Sequence, residues 1–192
     1  MKKIFLYVFL SLLFISVPSQ ADDIRDFQIE GMSIGDSALD YFSKDQIKKN
    51  IHEYPNNKYK RVQNDDLSFF KTYDAIDFNY KANDIKYIML GIAGIIVYEN
   101  NINDCYEKQK NIVEELSTIL TEASQLNADK VYNDDIWKGS RNVQFTFLLE
   151  NKDIVSVHCN DYSKEHGGQD HLAVNIKTKE FNDFLKIAYI EN

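Results

Sequence analysis

The chain is poor in residues that break or cross-link a fold. Its 192 residues include only two prolines, seven glycines, two cysteines and one tryptophan. Pro18 lies near the N-terminus, so Pro55 is the single proline of the remaining chain. Low-complexity tracts are missing as well, which leaves no obvious linker between domains. We therefore predict a single domain over residues 22–192, long enough to bury its own hydrophobic core.

Long apolar runs are scarce after residue 21. A helix that crosses a bilayer needs about 20 apolar residues. The most apolar stretch, residues 85–98, is shorter than this and contains Lys86, Gly91 and Gly94. The sequence therefore predicts no membrane span in the mature chain.

The N-terminus has the three parts of a cleavable signal peptide. Lys2 and Lys3 precede an apolar run over residues 4–17, and Ser19-Gln20-Ala21 supplies a cleavage site of the small-x-small type. The run meets a helix-breaking proline before it is long enough to span a membrane. We predict a signal peptide at residues 1–21 and a periplasmic or secreted location for the mature protein.

Basic residues are outnumbered by acidic ones, 22 to 30. Removal of the signal peptide would take away two lysines and no acidic residue, so the mature chain would carry a formal net charge of about −10. A polyphosphate backbone is repelled by such a balance. Nucleic acid is thus not a predicted partner, and the partner is expected to be a protein or a small ligand.

The two cysteines occupy positions that suit a disulfide. Cys105 lies on the apolar stripe of a predicted helix over residues 102–123, and Cys159 lies on the inward face of an alternating strand over residues 155–159. An exported chain meets an oxidising compartment. We predict a Cys105–Cys159 bridge that joins the helix to the sheet.

Hydrophobic periodicity predicts an α+β fold in which antiparallel sheets are covered by helices. Residues 29–50 suggest a short helical hairpin, and residues 85–90 and 95–98 suggest strands joined by a turn at Gly91 and Gly94. Later strands are predicted at 143–149, 155–159 and 172–176, with a last helix after Thr178. The pattern suggests two β-β-β-α units, residues 73–123 and 142–190.

Residues 158–171 form the first candidate site, because they contain three of the four histidines and several acidic residues. Imidazole and carboxylate groups can bind metal ions or act in catalysis. The spacing matches no standard metal signature, and a polar Gly-Gly segment is typical of an exposed loop. No metal, cofactor or catalytic residue is therefore assigned. The candidate binding residues here are His158, Asp161, Tyr162, His166, Asp170 and His171.

Trp137 is a further candidate, because tryptophan and tyrosine at loops often contact partners or sugars. The alternative is that such rings form the half-buried rim of an aromatic-rich core.

Two short resemblances add little to this picture. Gly35-Asp36-Ser37 resembles the nucleophile block of the GDS-type serine hydrolases, but the other blocks of that family are missing, and a helix cap explains the tripeptide. Residues 29–42 and 159–163 resemble segments of small exported bacterial proteins of unassigned function, which implies no activity.

The resulting hypothesis is a non-enzymatic binding or interaction module of the periplasm or exterior. The alternative is a small periplasmic hydrolase or metal-dependent enzyme that uses residues 158–171. An acidic, exported chain of this size is also compatible with an immunity or inhibitor protein that binds a basic partner.

Overall fold

The computed structural model describes residues 23–55, 57–66, 68, 70–99, 101–134, 137–165 and 167–190. The predicted signal peptide lies outside the described residues. Eight strands form one antiparallel sheet: β1 (Ile51–Glu53), β2 (Tyr59–Asn64), β3 (Ala75–Lys81), β4 (Gly91–Val97), β5 (Ser124–Val131), β6 (Arg141–Leu148), β7 (Ile154–Asp161) and β8 (His171–Lys177). The helices are α1 (Lys44–Lys49), α2 (Ile102–Ile119) and α3 (Lys179–Ile190).

The strand order is β1-β2-β3-β4-β8-β7-β6-β5, so β4 and β8 form the centre of the sheet. The predicted α+β fold with helix-covered sheets is wrong, because the described residues form a single, mostly uncovered sheet with three helices. The two β-β-β-α units are wrong as well. Each half of the chain supplies four strands and then one long helix.

One face of the sheet holds the main hydrophobic core. Val62, Phe78, Ile92, Val157 and Ile176 point to this face and are almost fully buried. Helix α2 packs over β7 and β8, and its apolar stripe faces the sheet as predicted. The predicted Cys105–Cys159 disulfide is present and links α2 to β7.

The opposite face carries α3 at one end. Phe181 and Phe184 of this helix pack on Tyr59, with ring centroids 5.3 and 4.4 Å from the tyrosine ring. A Cβ atom at Gly91 would lie 2.8 Å from the Phe181 ring, so a bare backbone is needed for this approach. Helices α2 and α3 therefore lie on opposite faces of one sheet.

The predicted turn at Gly91 and Gly94 is wrong, because both glycines lie inside β4. On the core face a Cβ atom at Gly94 would lie 2.5 Å from the Tyr73 ring. Each glycine thus makes room for an aromatic ring on its own side of the strand, and neither marks a chain reversal.

The predicted strand at residues 85–90 is also wrong. These residues form turns around Asp84, whose carboxylate accepts hydrogen bonds from the backbone N–H groups of Lys86 and Ile88 at 2.8 and 2.9 Å. Tyr87 has a positive φ of 53°, and Ile85 is largely exposed. The apolar residues of segment 85–90 therefore do not form a buried strand.

Of the helical hairpin predicted over residues 29–50, only the second helix is present, as α1. Ser43 and Gln46 form the predicted capping box of α1, which has only six residues. Ahead of it, Ser37 caps a single 3-10 turn over Ala38–Asp40. The Ser37 hydroxyl donates to the Lys86 carbonyl and accepts from the Leu39 N–H, which agrees with a capping role.

Candidate functional site

A groove with a volume of about 520 Å³ crosses the sheet face opposite α2. Every second residue of five neighbouring strands faces it, because side chains alternate along a strand. Its size lies within the range of small-molecule binding sites. The contributing pairs are Arg61 and Gln63 of β2, Ala75 and Asp77 of β3, Ala93 and Ile95 of β4, Ala173 and Asn175 of β8, and His158 and Asn160 of β7.

Small side chains form the floor of the groove. Ala93 of the central strand β4 is paired with Asp77 of β3 and Asn175 of β8. Two residues away along the same three strands, Ala75 and Ala173 lie on either side of Ile95. Three alanines and Ile95 therefore form an apolar floor, and longer polar side chains border it on both sides.

An ion pair forms one wall. The Arg61 guanidinium contacts Oδ2 of Asp77 through Nε at 2.7 Å and through Nη2 at 2.6 Å. Asp77 is only 8% exposed, and its second oxygen, Oδ1, is buried without a hydrogen-bond partner among the described residues. Burial raises the pKa of Asp77 above its usual range, while Arg61 acts in the opposite direction. Oδ1 is thus a buried acceptor, in a residue that lines the groove, that lacks a donor among the described residues.

Imidazole and amide groups form the other wall. His158 Nε2 lies 2.8 Å from the Ser156 hydroxyl, and burial lowers the pKa of His158 to about 3, with Lys177 and His171 adding to the effect. His158 is therefore neutral at pH 7. Asn160 hydrogen-bonds His171 Nε2 at 3.0 Å, which orients both side chains across β7 and β8.

A row of aromatic rings continues from this wall towards the sheet edge. The Tyr162 ring lies 5.7 Å from the His171 ring and 5.7 Å from the Trp137 ring, and Trp137 lies 6.3 Å from Tyr132. Trp137 is 37% exposed. The row thus offers partly exposed ring surfaces beside the groove.

A lysine, Lys177, lies at the other end of the face, under α3. Lys177 lines a smaller recess with Asn79, Phe181 and Leu185. Burial lowers the pKa of this lysine to about 8. Arg61 and Asp77 border both the recess and the groove, so the two form a continuous polar surface.

The predicted site residues are only partly brought together. His158, Tyr162 and His171 line the groove, and Trp137 stacks beside Tyr162. Asp170 acts on the backbone, since its carboxylate accepts the Tyr162 N–H at 2.7 Å.

Asp161 lies on the other face of the sheet, where its carboxylate is 3.5 Å from the Tyr106 hydroxyl of α2. His166 lies outside the described residues. Within the described ranges no three His, Cys, Asp or Glu side chains are grouped closely enough to hold a metal ion.

The groove lacks the arrangement of a serine nucleophile in the part of the chain that is described. Ser156 and His158 are within hydrogen-bond distance, but Ser156 is 0% exposed. No described carboxylate hydrogen-bonds His158, so the imidazole has no acidic partner to orient it. Among the described residues, Ser156 and His158 are therefore not part of a catalytic triad.

Sequence reasoning missed Arg61, Asp77 and Asn175. The alternation of β3 places the Asp77 side chain on the face of the sheet opposite to that of Ile76 and Phe78. Strand β2 was not predicted, so the sequence offered no reason to place Arg61 beside Asp77. The one available signal was Asp77 itself, an acidic residue between two apolar residues of a predicted strand.

Comparison with known proteins identifies no relatives: no family model, no curated protein and no solved structure matches the chain. Among the described residues, no helix is long and apolar enough to cross a membrane.

Proposed function

We propose that this protein is an exported, non-enzymatic binding protein that holds a small polar ligand in the sheet-face groove. The groove itself carries the proposal. It combines an alanine floor with an unsatisfied acid at one wall and neutral imidazole and amide groups at the other. Few well-placed polar groups around an apolar surface are typical of ligand sites.

Export to the periplasm or the exterior is part of the proposal. The N-terminal pattern of residues 1–21 supports it, and the disulfide is compatible with an oxidising compartment. Mass spectrometry of protein taken from the extracytoplasmic fraction should give an N-terminus at Asp22. Retention of residues 1–21 in cytosolic protein would contradict this part.

Ligand binding is tested by filling the groove. Ala173→Leu adds a larger side chain to the floor, and Ala128→Leu adds the same group to the exposed edge strand β5 on the same face. A library of metabolite-sized neutral, cationic and anionic compounds is screened by thermal shift against both variants and the parent.

We expect compounds that stabilise the parent and Ala128→Leu but not Ala173→Leu, because only the latter occupies the groove. Compounds that stabilise all three proteins equally bind elsewhere. A screen that yields only such compounds, or none at all, contradicts the proposed function.

A further inference from the structure

Lys177, in the recess under α3, is a half-buried cation that no acidic side chain of the described residues neutralises. It lies at the end of β8, on the groove face of the sheet. No described carboxylate lies within ion-pair distance of its ammonium group. The two acidic residues of α3 pair with other lysines, Glu180 with Lys81 and Asp183 with Lys179. Lys177 therefore enters a partly desolvated site without a counter-ion.

This environment favours an anion next to the ammonium group. Burial lowers the pKa of Lys177 to about 8, and no acidic group opposes that effect. An anion beside Lys177 would stabilise its charged form. Because the recess excludes part of the solvent, such a pair would be stronger than one on the open surface.

The recess also differs from the groove in the balance of its charges. It is bordered by two cationic side chains, Lys177 and Arg61, and by one anionic side chain, Asp77. The groove has the opposite balance, since Asp65, Asp74 and Asp77 border it with Arg61. The negative charge of the rest of the chain is screened beyond about 8 Å at physiological ionic strength. The local charges of the recess therefore match a monoanion.

Hydrogen-bond donors in the recess are accessible to a ligand. Asn79 Oδ1 accepts from the Tyr54 hydroxyl at 2.8 Å, which leaves the Nδ2 group as a donor. Neither Asn79 Nδ2 nor Lys177 Nζ is both fully buried and unpaired, a condition that Asp77 Oδ1 alone meets among the described side chains. Both nitrogen atoms therefore keep some accessible surface. A carboxylate, which only accepts hydrogen bonds, suits this set of donors.

The part of the recess formed by α3 is apolar. Phe181 and Leu185 are four residues apart, so they lie on the same side of the helix, facing the sheet. Ala93 adds a methyl group from β4. The volume of the recess is about 200 Å³, which corresponds to roughly seven water molecules in the liquid. This space suits a short aliphatic chain or a single ring and is too small for a long lipid chain.

We infer that the recess under α3 binds a small monocarboxylate, whose carboxylate pairs with Lys177 and whose apolar part packs on Leu185. This site goes beyond the proposed groove, because Lys177, Asn79 and Leu185 do not line the groove. The two sites share Arg61 and Asp77 as a common wall.

The test uses the purified mature chain with its disulfide intact. The probes are hexanoate, benzoate and N-acetyl-leucine, each compared with the neutral amide of the same shape. N-acetyl-leucine represents the C-terminus of a peptide, and the other two represent free acids. Calorimetry gives the affinity, and thermal unfolding with sodium chloride at equal ionic strength controls for nonspecific salt effects.

We expect at least one carboxylate to bind at least tenfold more tightly than its amide and to raise the Tm more than sodium chloride does. Lys177→Met should weaken that carboxylate by at least tenfold, because it removes the charge and retains an unbranched side chain. Lys186→Met, at an exposed lysine of α3, is the matched control and should bind like the parent. Leu185→Trp fills the recess and provides a second variant in case Lys177→Met fails to fold.

The variant Ala173→Leu separates this site from the groove. It fills the groove but does not border the recess, so it should retain the carboxylate. Equal affinities for the carboxylates and their amides, or undiminished binding to Lys177→Met, would overturn the inference. Carboxylate binding that is lost in Ala173→Leu and retained in Lys177→Met would overturn it too, while supporting the groove. Carboxylate binding that depends on Lys177, without any ligand that depends on the groove, would support the recess and contradict the proposed function.

Discussion

The two faces of the sheet are built from the same strands but differ in composition and cover. The face under α2 is apolar, and a disulfide and a buried glutamine tie that helix to the strands. The groove face is polar, and α3 covers only one end of it. Because side chains alternate along each strand, the hydrophobic core and the proposed binding groove are formed by neighbouring residues that face opposite sides of the sheet. Substitutions on the two faces should therefore have separable effects.

The largest expected effect is loss of the disulfide on the α2 face. The bridge joins residues 54 positions apart, and a loop of this size corresponds to about 4 kcal/mol of unfolding free energy in the chain-entropy model. The double variant Cys105→Ala, Cys159→Ala should lose about this amount in guanidinium unfolding. Dithiothreitol should destabilise the parent similarly and leave the double variant unchanged. Equal stability of parent and variant would show that the disulfide does not stabilise the α2 face.

A smaller loss is expected for the buried glutamine of α2. Gln109 is 2% exposed, and its Nε2 donates to the carbonyls of Val143 and Val157 at 2.7 and 2.9 Å. Gln109→Leu removes both donors and should cost about 2 kcal/mol in urea unfolding. Gln125→Leu, on the exposed strand β5, is the matched control and should change stability by less than about 0.5 kcal/mol. A neutral Gln109→Leu would show that these bonds add nothing to the core.

At pH 7 the smallest effect is expected on the groove face, and this effect grows as the pH falls. The pKa of His158 is lowered to about 3 in the folded protein from an ordinary value of 6.5. Between these values the unfolded chain binds the proton and the folded chain does not, so the unfolding free energy falls as the pH falls through this window.

His158→Gln should remove this contribution, which is at most about 1.4 kcal/mol per pH unit. Urea unfolding at pH 7, 5 and 4 measures the change, with His52→Gln on the edge strand β1 as the matched loss of a histidine. Parallel pH profiles for the parent and His158→Gln would contradict a neutral, half-buried imidazole.

The sequence predicted the elements whose apolar residues have a clear period. Helix α2, the β6–β7 hairpin and strand β8 were found this way, and the disulfide followed because both cysteines lie on inward faces. Strand β5 was missed because all eight of its residues are exposed and its pattern carries no buried face. A strand at the edge of a sheet is held by its neighbour, and single-strand periodicity does not record that.

The groove was predictable only in part, for a related reason. His158 and Tyr162 were found because they lie in a segment with unusual composition. The Arg61–Asp77 contact depends on the pairing of β2 with β3. In this pairing Gln63 lies directly across from Asp77, and Arg61 lies two residues from Gln63 along β2. Strand register is a property of the whole sheet, so local sequence could not supply this wall of the groove.

Strand β7 carries Cys159 on one side and His158 on the other, as consecutive residues of one backbone. A covalent anchor to α2 therefore also limits how far the neighbouring imidazole can move. Oxidation of the two thiols would therefore restrain the proposed binding groove as well as the core. A chain with reduced thiols would lack this restraint, so under the proposed function the oxidation state of the two cysteines would also affect ligand binding.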